Sequence, residues 1–292
     1  MKKHTKLTKI SLLGYILILV GLLFITIPLG KRSLNDLSYD KRLEEFENKE
    51  SQRDQNEIAK EDEAAAKYND LVRNSDTSIL DPFTTDENKN TYNYFKNSDE
   101  VFAYLVIPKL GKNLPIYLDA SLYHISIGVA QVEGTSIPVG GKGTRSVIAG
   151  HRDWWGDDMF LFIDELVEGD DVYVKRAGKT LHYKVSDKEV IGPYDRDRLE
   201  KRENEDILTL LTCHPFYPPR PDRLLVNCVR YDTEGNETAK DNEPTEKIEE
   251  AKGVKTAKNI YLIGSILGAL CFVLVLVRLI KRIKYSRENR GN

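Results

Sequence analysis

Residues 207–213, Ile-Leu-Thr-Leu-Leu-Thr-Cys, and residues 223–231, Arg-Leu-Leu-Val-Asn-Cys-Val-Arg-Tyr, decide how this chain folds. Both are short runs rich in apolar and β-branched residues, and the loop between them is rich in proline and aromatic residues. Strand side chains alternate between faces, so Arg223, Leu225 and Asn227 point one way while Leu224, Val226 and Cys228 point the other. Cys228 therefore reads as a core residue facing away from Arg223. Cys213 closes its strand, and strand ends are where reactive side chains reach a cleft.

The same texture recurs outward from this pair. Runs at 101–107, 114–118, 145–150, 171–176 and 181–191 carry β-branched and aromatic residues, separated by Gly, Pro and Asn/Asp turns. Such regular spacing predicts a β-sandwich or closed barrel of roughly 130–140 residues. Short helices are expected near 117–127 and 159–166.

Beyond the barrel the composition shifts. Residues 10–29 and 260–280 are apolar and long enough to cross a bilayer as helices. Lys2, Lys3, Lys6 and Lys9 precede the first run, and Arg278, Lys281, Arg282 and Lys284 flank the end of the second. The positive-inside rule then puts both ends, 1–9 and 281–292, in the cytoplasm and the intervening chain outside. No small-x-small site follows the first run, which reads as an uncleaved anchor. Residues 33–77 are charged and predict helices with a thin apolar face, a largely solvated stalk. Residues 233–258 are polar and poor in aromatics, as in a flexible tether.

Composition excludes several functions. A net charge of −3 with mixed signs offers no basic stripe for nucleic acid. Three cysteines make no disulfide framework, although a Cys213–Cys228 bridge is the structural alternative to a free thiol. No paired Cys/His zinc spacing occurs. The Gly140-Gly-Lys-Gly-Thr144 run lacks phosphate-loop spacing, and Asp157-Asp158 and Asp170-Asp171 lack an EF-hand pattern. Neither a cofactor nor a metal is expected.

Three residues at strand ends form a chemical set. A thiol, Cys213, can attack an amide without a metal once it forms thiolate. An imidazole, His151, can pair with it and protonate a leaving amine. A guanidinium, Arg223, can stabilise the oxyanion of a tetrahedral intermediate, with Arg220 in the preceding loop a rival for that role. His214 and the tryptophans Trp154 and Trp155 are lesser candidates, for tuning the thiol and lining a substrate surface; surface packing is the plainer reading of the tryptophans.

These blocks resemble the sortases, and most closely class C, the pilin-polymerising sortases. The resemblance covers roughly residues 78–232. It rests on Glu133-Gly-Thr-Ser-Ile-Pro-Val-Gly-Gly-Lys-Gly-Thr-Arg-Ser-Val-Ile-Ala-Gly-His151-Arg152, on Leu208-Thr-Leu-Leu-Thr-Cys213-His-Pro, and on Arg223-Leu-Leu-Val226. Asp81-Pro82-Phe83, before the barrel, is similar to the class C lid tripeptide, and a second apolar span follows the barrel as in that class. The chain departs from the family pattern where Asp-Trp-Trp-Gly-Asp-Asp follows Arg152. The resemblance implies a closed eight-stranded barrel at 91–232, with Cys213 as nucleophile, His151 as general acid/base and Arg223 as oxyanion or substrate support. It implies a lid at 78–90, in which Asp81 pairs with Arg223 and Phe83 covers the sulfur. Its substrates are then LPxTG-like surface proteins or pilins, cleaved between Thr and Gly and joined to a pilin lysine, on a Gram-positive cell. A housekeeping sortase that anchors proteins to a cell-wall precursor, a cysteine hydrolase and a non-enzymatic surface domain are the alternatives.

Overall fold

The computed structural model describes residues 8–74, 79, 81–83, 99–231 and 248–288. Two helices open the chain, α1 (Lys9–Ser51) and α2 (Gln55–Asn74). The strands follow: β1 (Ala103–Ile107), β2 (Lys112–Tyr117), β3 (Val129–Gln131), β4 (Thr144–Ala149), β5 (Asp171–Arg176), β6 (Lys179–Ile191), β7 (Asp206–His214) and β8 (Asp222–Arg230). A short helix, α3 (Leu122–Ile127), precedes β3, and α4 (Lys252–Glu288) ends the described chain.

The strands close into a barrel in the order β1-β2-β3-β4-β7-β8-β6-β5. Closure leaves no open sheet edge. Most neighbours are antiparallel, but β2 with β3 and β4 with β7 run parallel, the latter with Thr144 opposite Asp206 and Ala149 opposite Leu211. β4 and β7 therefore end at the same rim. The expected helix at 117–127 begins only at Leu122, because Tyr117 is held in β2 opposite Ala130 of β3. Ser121 caps it, its side chain accepting from the His124 N–H. At 159–166 the structure has one 3₁₀ turn, Ile163–Glu165.

Strand alternation sorts the barrel's residues into two apolar clusters. Leu105, Ile116, Ile148, Leu208, Leu210, Leu224, Val226 and Cys228 fill the interior. Val147, Ala149, Leu211 and Leu225 lie on the other face of β4, β7 and β8, covered by Ile191, Leu199, Ile79 and Phe83. Cys228 is wholly buried inside and free, Cys213 is free and half-buried, and no disulfide joins them.

The chain falls into two compact units, one built of residues 37–154 and 158–254, the other of 1–36, 155–157 and 255–292. Within the first, residues 37–74 are no solvated stalk. Tyr39, Ala65 and Tyr68 belong to the main core cluster, while Asn69 exchanges hydrogen bonds with the Ile137 backbone, at 2.7 Å and 3.1 Å. Arg176 pairs with Asp62 and Glu61, and Lys175 with Glu47. Leu37 and Leu71 stay exposed, and the thin apolar face that docks is made by Tyr39, Leu43, Ile58, Ala65 and Tyr68. The polar stretch after the barrel is likewise ordered at its end: Ala251 donates to the Lys109 carbonyl at 2.8 Å, and α4 begins at Lys252.

In the second unit, α1 and α4 each contain an 18-residue window of mean hydropathy 2.7, long and apolar enough to cross a membrane. Gly264 lets the two helices approach, since a Cβ there would stand 3.0 Å from Leu29 Cδ1.

Candidate active site

The rim shared by β4 and β7 gathers the chemical set. Cys213 sits directly opposite Arg223 across the antiparallel β7–β8 pair, so both side chains share one face. The parallel β4–β7 register, carried two residues past Ala149, brings His151 beside Cys213. Two hydrogen bonds hold that extension: Gly150 donates to the Leu211 carbonyl at 3.1 Å, and Thr212 Oγ1 donates to the Gly150 carbonyl at 2.8 Å. Glycine is required before the histidine because a Cβ would stand 2.8 Å from both Phe160 Cδ2 and Val129 Cγ1.

Arg223 is 5% exposed, and its charge is answered by Asp81. Asp81 Oδ2 accepts from Nε at 2.9 Å and lies 2.8 Å from Nη2. The other carboxylate oxygen accepts the Phe83 N–H at 2.9 Å, which turns the Asp-Pro-Phe segment over the site. The Phe83 ring lies 5.2 Å from the Arg223 guanidinium and 5.7 Å, tilted, from the His151 ring. It therefore rests on the arginine and the imidazole. The cleft between this segment and the sheet, lined by Asp81, Pro82, Leu211 and Arg223, keeps only ≈ 20 Å³. That is room for about one water and excludes a peptide.

A roomier cavity of ≈ 480 Å³ lies along the same sheet face, lined by Ser136, Arg145, Arg196 and Leu199. Its buried guanidinium is already committed: Arg145 donates to Thr209 Oγ1, the Glu200 carbonyl and Asn227 Oδ1 at 3.0, 2.9 and 2.7 Å. Arg145 sits at the start of β4, away from the rim that carries His151 and Cys213.

Burial and nearby charge set the protonation states. Burial pushes the Cys213 thiol up and Asp81 adds to it, while Arg223, Arg220 and Arg152 oppose. His151 is pushed down to about 4, first by burial and then by the Arg220 charge. At neutral pH the site therefore rests as thiol and neutral imidazole. Arg220 acts from the loop, where its guanidinium donates to the Phe216 carbonyl at 2.8 Å and 3.2 Å. His214 Nδ1 is buried with no partner among the described residues.

Two neighbours make contacts at the site that the sequence reading did not assign to them. Arg152, 1% exposed, donates to the Cys213 carbonyl at 3.5 Å and pairs with Asp164 at 2.9 Å. Trp154 stacks on His151 with ring centroids 4.2 Å apart and planes 7° from parallel. Neither follows from strand periodicity, since both lie in the loop after β4.

Comparison with known proteins agrees with the geometry. Residues 105–231 match the Sortase domain family. Sortase C-3 of Streptococcus pneumoniae is 33% identical, with a TM-score of 0.60 over 64% of this chain and 89% of that one. A second structure, sortase C of Streptococcus pneumoniae, is described in terms of catalysis and pilin substrate specificity. It is 31% identical, with a TM-score of 0.59 over 66% of this chain and 97% of that one. Sortase D of Bacillus subtilis (strain 168) is 24% identical over 133 residues, 46% of this chain; the match spans 64% of that curated relative's length. The chain belongs to the sortase family, with class C sortases as close structural neighbours.

Proposed function

We propose that this protein is a membrane-anchored cysteine transpeptidase that joins pilin subunits. The observation that carries the reading is Cys213 facing Arg223 across β7–β8, with His151 next in the parallel register. With the lid open the Cys213 thiol passes its proton to His151, and the thiolate attacks the Thr carbonyl of an LPxTG-like sorting signal to form a C–S bond. Arg223 neutralises the oxyanion. On collapse the Thr–Gly C–N bond breaks, and protonated His151 gives its proton to the departing amine. A lysine ε-amine of a pilin subunit then attacks the thioester. An isopeptide C–N bond forms, the C–S bond breaks, sulfur leaves as thiolate, and His151 takes the amine proton.

Asp81, Pro82 and Phe83 act as a lid. While it is shut, Asp81 occupies the arginine that the oxyanion needs and Phe83 lies over the imidazole. Opening frees Arg223 and removes the Asp81 charge, and both changes lower the thiol's pKa. The apolar helices anchor the protein with both termini cytoplasmic and the barrel outside, following the flanking lysines and arginines. Pilin as substrate is supported by the class C neighbours, one of which is described for pilin substrate specificity.

The test is a Cys213→Ala variant in cells lacking other sortases. Loss of pilin ladders, together with loss of an acyl adduct detectable by mass spectrometry on the wild type, is expected. Ladders that persist in the variant overturn the scheme. An adduct resolved only by water, giving a free carboxylate, would make the enzyme a hydrolase; transfer to a cell-wall amine would make it a housekeeping enzyme.

A further inference from the structure

Among the described residues, His151 is a base without a hydrogen-bonded orienter. A catalytic imidazole is ordinarily fixed by a carboxylate, carbonyl or amide bound to its second ring nitrogen, which sets both tautomer and ring plane. Here Nε2 is buried and has no partner, and no hydrogen bond to either ring nitrogen occurs among the described residues. What holds the ring is aromatic: Trp154 flat against it at 4.2 Å, and Phe83 tilted at 5.7 Å. Phe83 belongs to the lid segment, so once that segment leaves, Trp154 is the one aromatic ring still on His151 among the described residues.

Resting on the function proposed above, we infer that Trp154 is the positioning residue for His151, fixing its ring plane and stabilising its protonated form through the indole face. An imidazolium over an indole is a cation–π pair. This contact opposes the two influences that depress His151, burial and the Arg220 charge. The indole stands ready because its loop is pinned on both sides. Phe160 N–H donates to the His151 carbonyl at 3.1 Å, closing the loop. Arg152 pairs with Asp164 near its start, and Asp158 is locked to Lys112 at 2.7 Å with both side chains buried. Trp154 itself is 41% exposed, so little of the core depends on it. It also lies where the sequence departs from the family's usual stretch after Arg152, which makes the device a property of this chain.

The experiment uses the full chain in detergent micelles with a fluorogenic LPxTG peptide and an amine acceptor, comparing Trp154→Ala, Trp154→Phe and His151→Ala. Trp154→Ala is expected to lower kcat about tenfold with KM within about twofold, since the ring's orientation and not peptide binding is lost. The limb of the pH profile governed by His151 should move to lower pH by about half a pH unit, as a part-exposed cation–π contact allows. Trp154→Phe, which keeps an aromatic face, should restore most of both. An unchanged pH profile in Trp154→Ala, or a Phe variant as impaired as the Ala variant, overturns the inference. His151→Ala with wild-type turnover overturns the proposed function instead, so the two failures are distinguishable.

Discussion

Replacing Asp81 by Asn removes one charge from the closed site while keeping its shape. The pair it breaks is tight, at 2.8 Å and 2.9 Å, and its side chains are only 6% and 8% exposed, so the small value of surface ion pairs does not apply. An effective dielectric near 20 gives roughly 4 kcal/mol of attraction at a charge separation of about 4 Å. Dehydrating both groups offsets part of that, leaving about 2 kcal/mol to hold the lid shut. The open population should then rise on the order of 30-fold in Asp81→Asn. The rate at which a charged methanethiosulfonate modifies Cys213 reads this directly, with the adduct located by mass spectrometry. Cys228 is buried and Cys271 lies in α4, so neither confuses the assignment. Two contributions separate by pH. Loss of the Asp81 charge also lowers the thiol's pKa, and that part of the gain vanishes once the thiol is fully ionised, whereas the gain from opening persists. A rate within twofold of wild type across the pH range refutes both the lid and its electrostatic link to the thiol.

Other expectations follow from single contacts. Lys112→Met leaves Asp158 buried and unpaired, which should cost about 3–5 kcal/mol and show as a marked fall in thermal midpoint. Cys228→Ala opens a small void in the barrel interior and should cost about 1–2 kcal/mol in a denaturant titration, with turnover unchanged. His151 has a folded pKa near 4 against about 6.5 unfolded, so the unfolded chain binds the extra proton between those values. Its contribution is therefore present above pH 6.5 and lost as pH falls through 4, about 3 kcal/mol in all, visible as a flatter stability–pH curve in His151→Asn. Arg220→Ala removes the charge that depresses the imidazole and should raise the His151 titration midpoint in NMR; a lower midpoint would contradict it.

Much of this fold was written in local pattern. Seven strands could be read because β-branched runs end at Gly, Pro and Asn/Asp turns, and the alternation along β8 separated Cys228 from Arg223 before any coordinates. β3 was missed: Val129–Gln131 has three residues, too few for periodicity, and exists because β2 and β4 hold it on either side. The docking of residues 37–74 was missed for a related reason, since Tyr39, Tyr68 and Asn69 do not stand out as a hydrophobic stripe, yet all three are buried, Asn69 with its amide paired to the Ile137 backbone. The family resemblance, not spacing, suggested that Asp81 pairs with Arg223, and the geometry has the two at hydrogen-bond distance. The sequence offered Trp154 only as a substrate-surface or packing residue, because a stacking contact on His151 in an irregular loop leaves no period to detect.

The parallel run of β4 beside β7 has an evolutionary corollary. The separation of imidazole and sulfur is set by the distance between adjacent strands, about 4.8 Å, and not by the more than fifty residues of chain that connect them. Surface turns in that connection, such as the one between β5 and β6, can lengthen or diversify without moving the strands that carry the reacting pair, whereas the loop just after His151 bears Arg152 and Trp154 and is held to the site. A lineage can thus remodel the distant turns while inheriting the same strand pairing beneath the sulfur and imidazole.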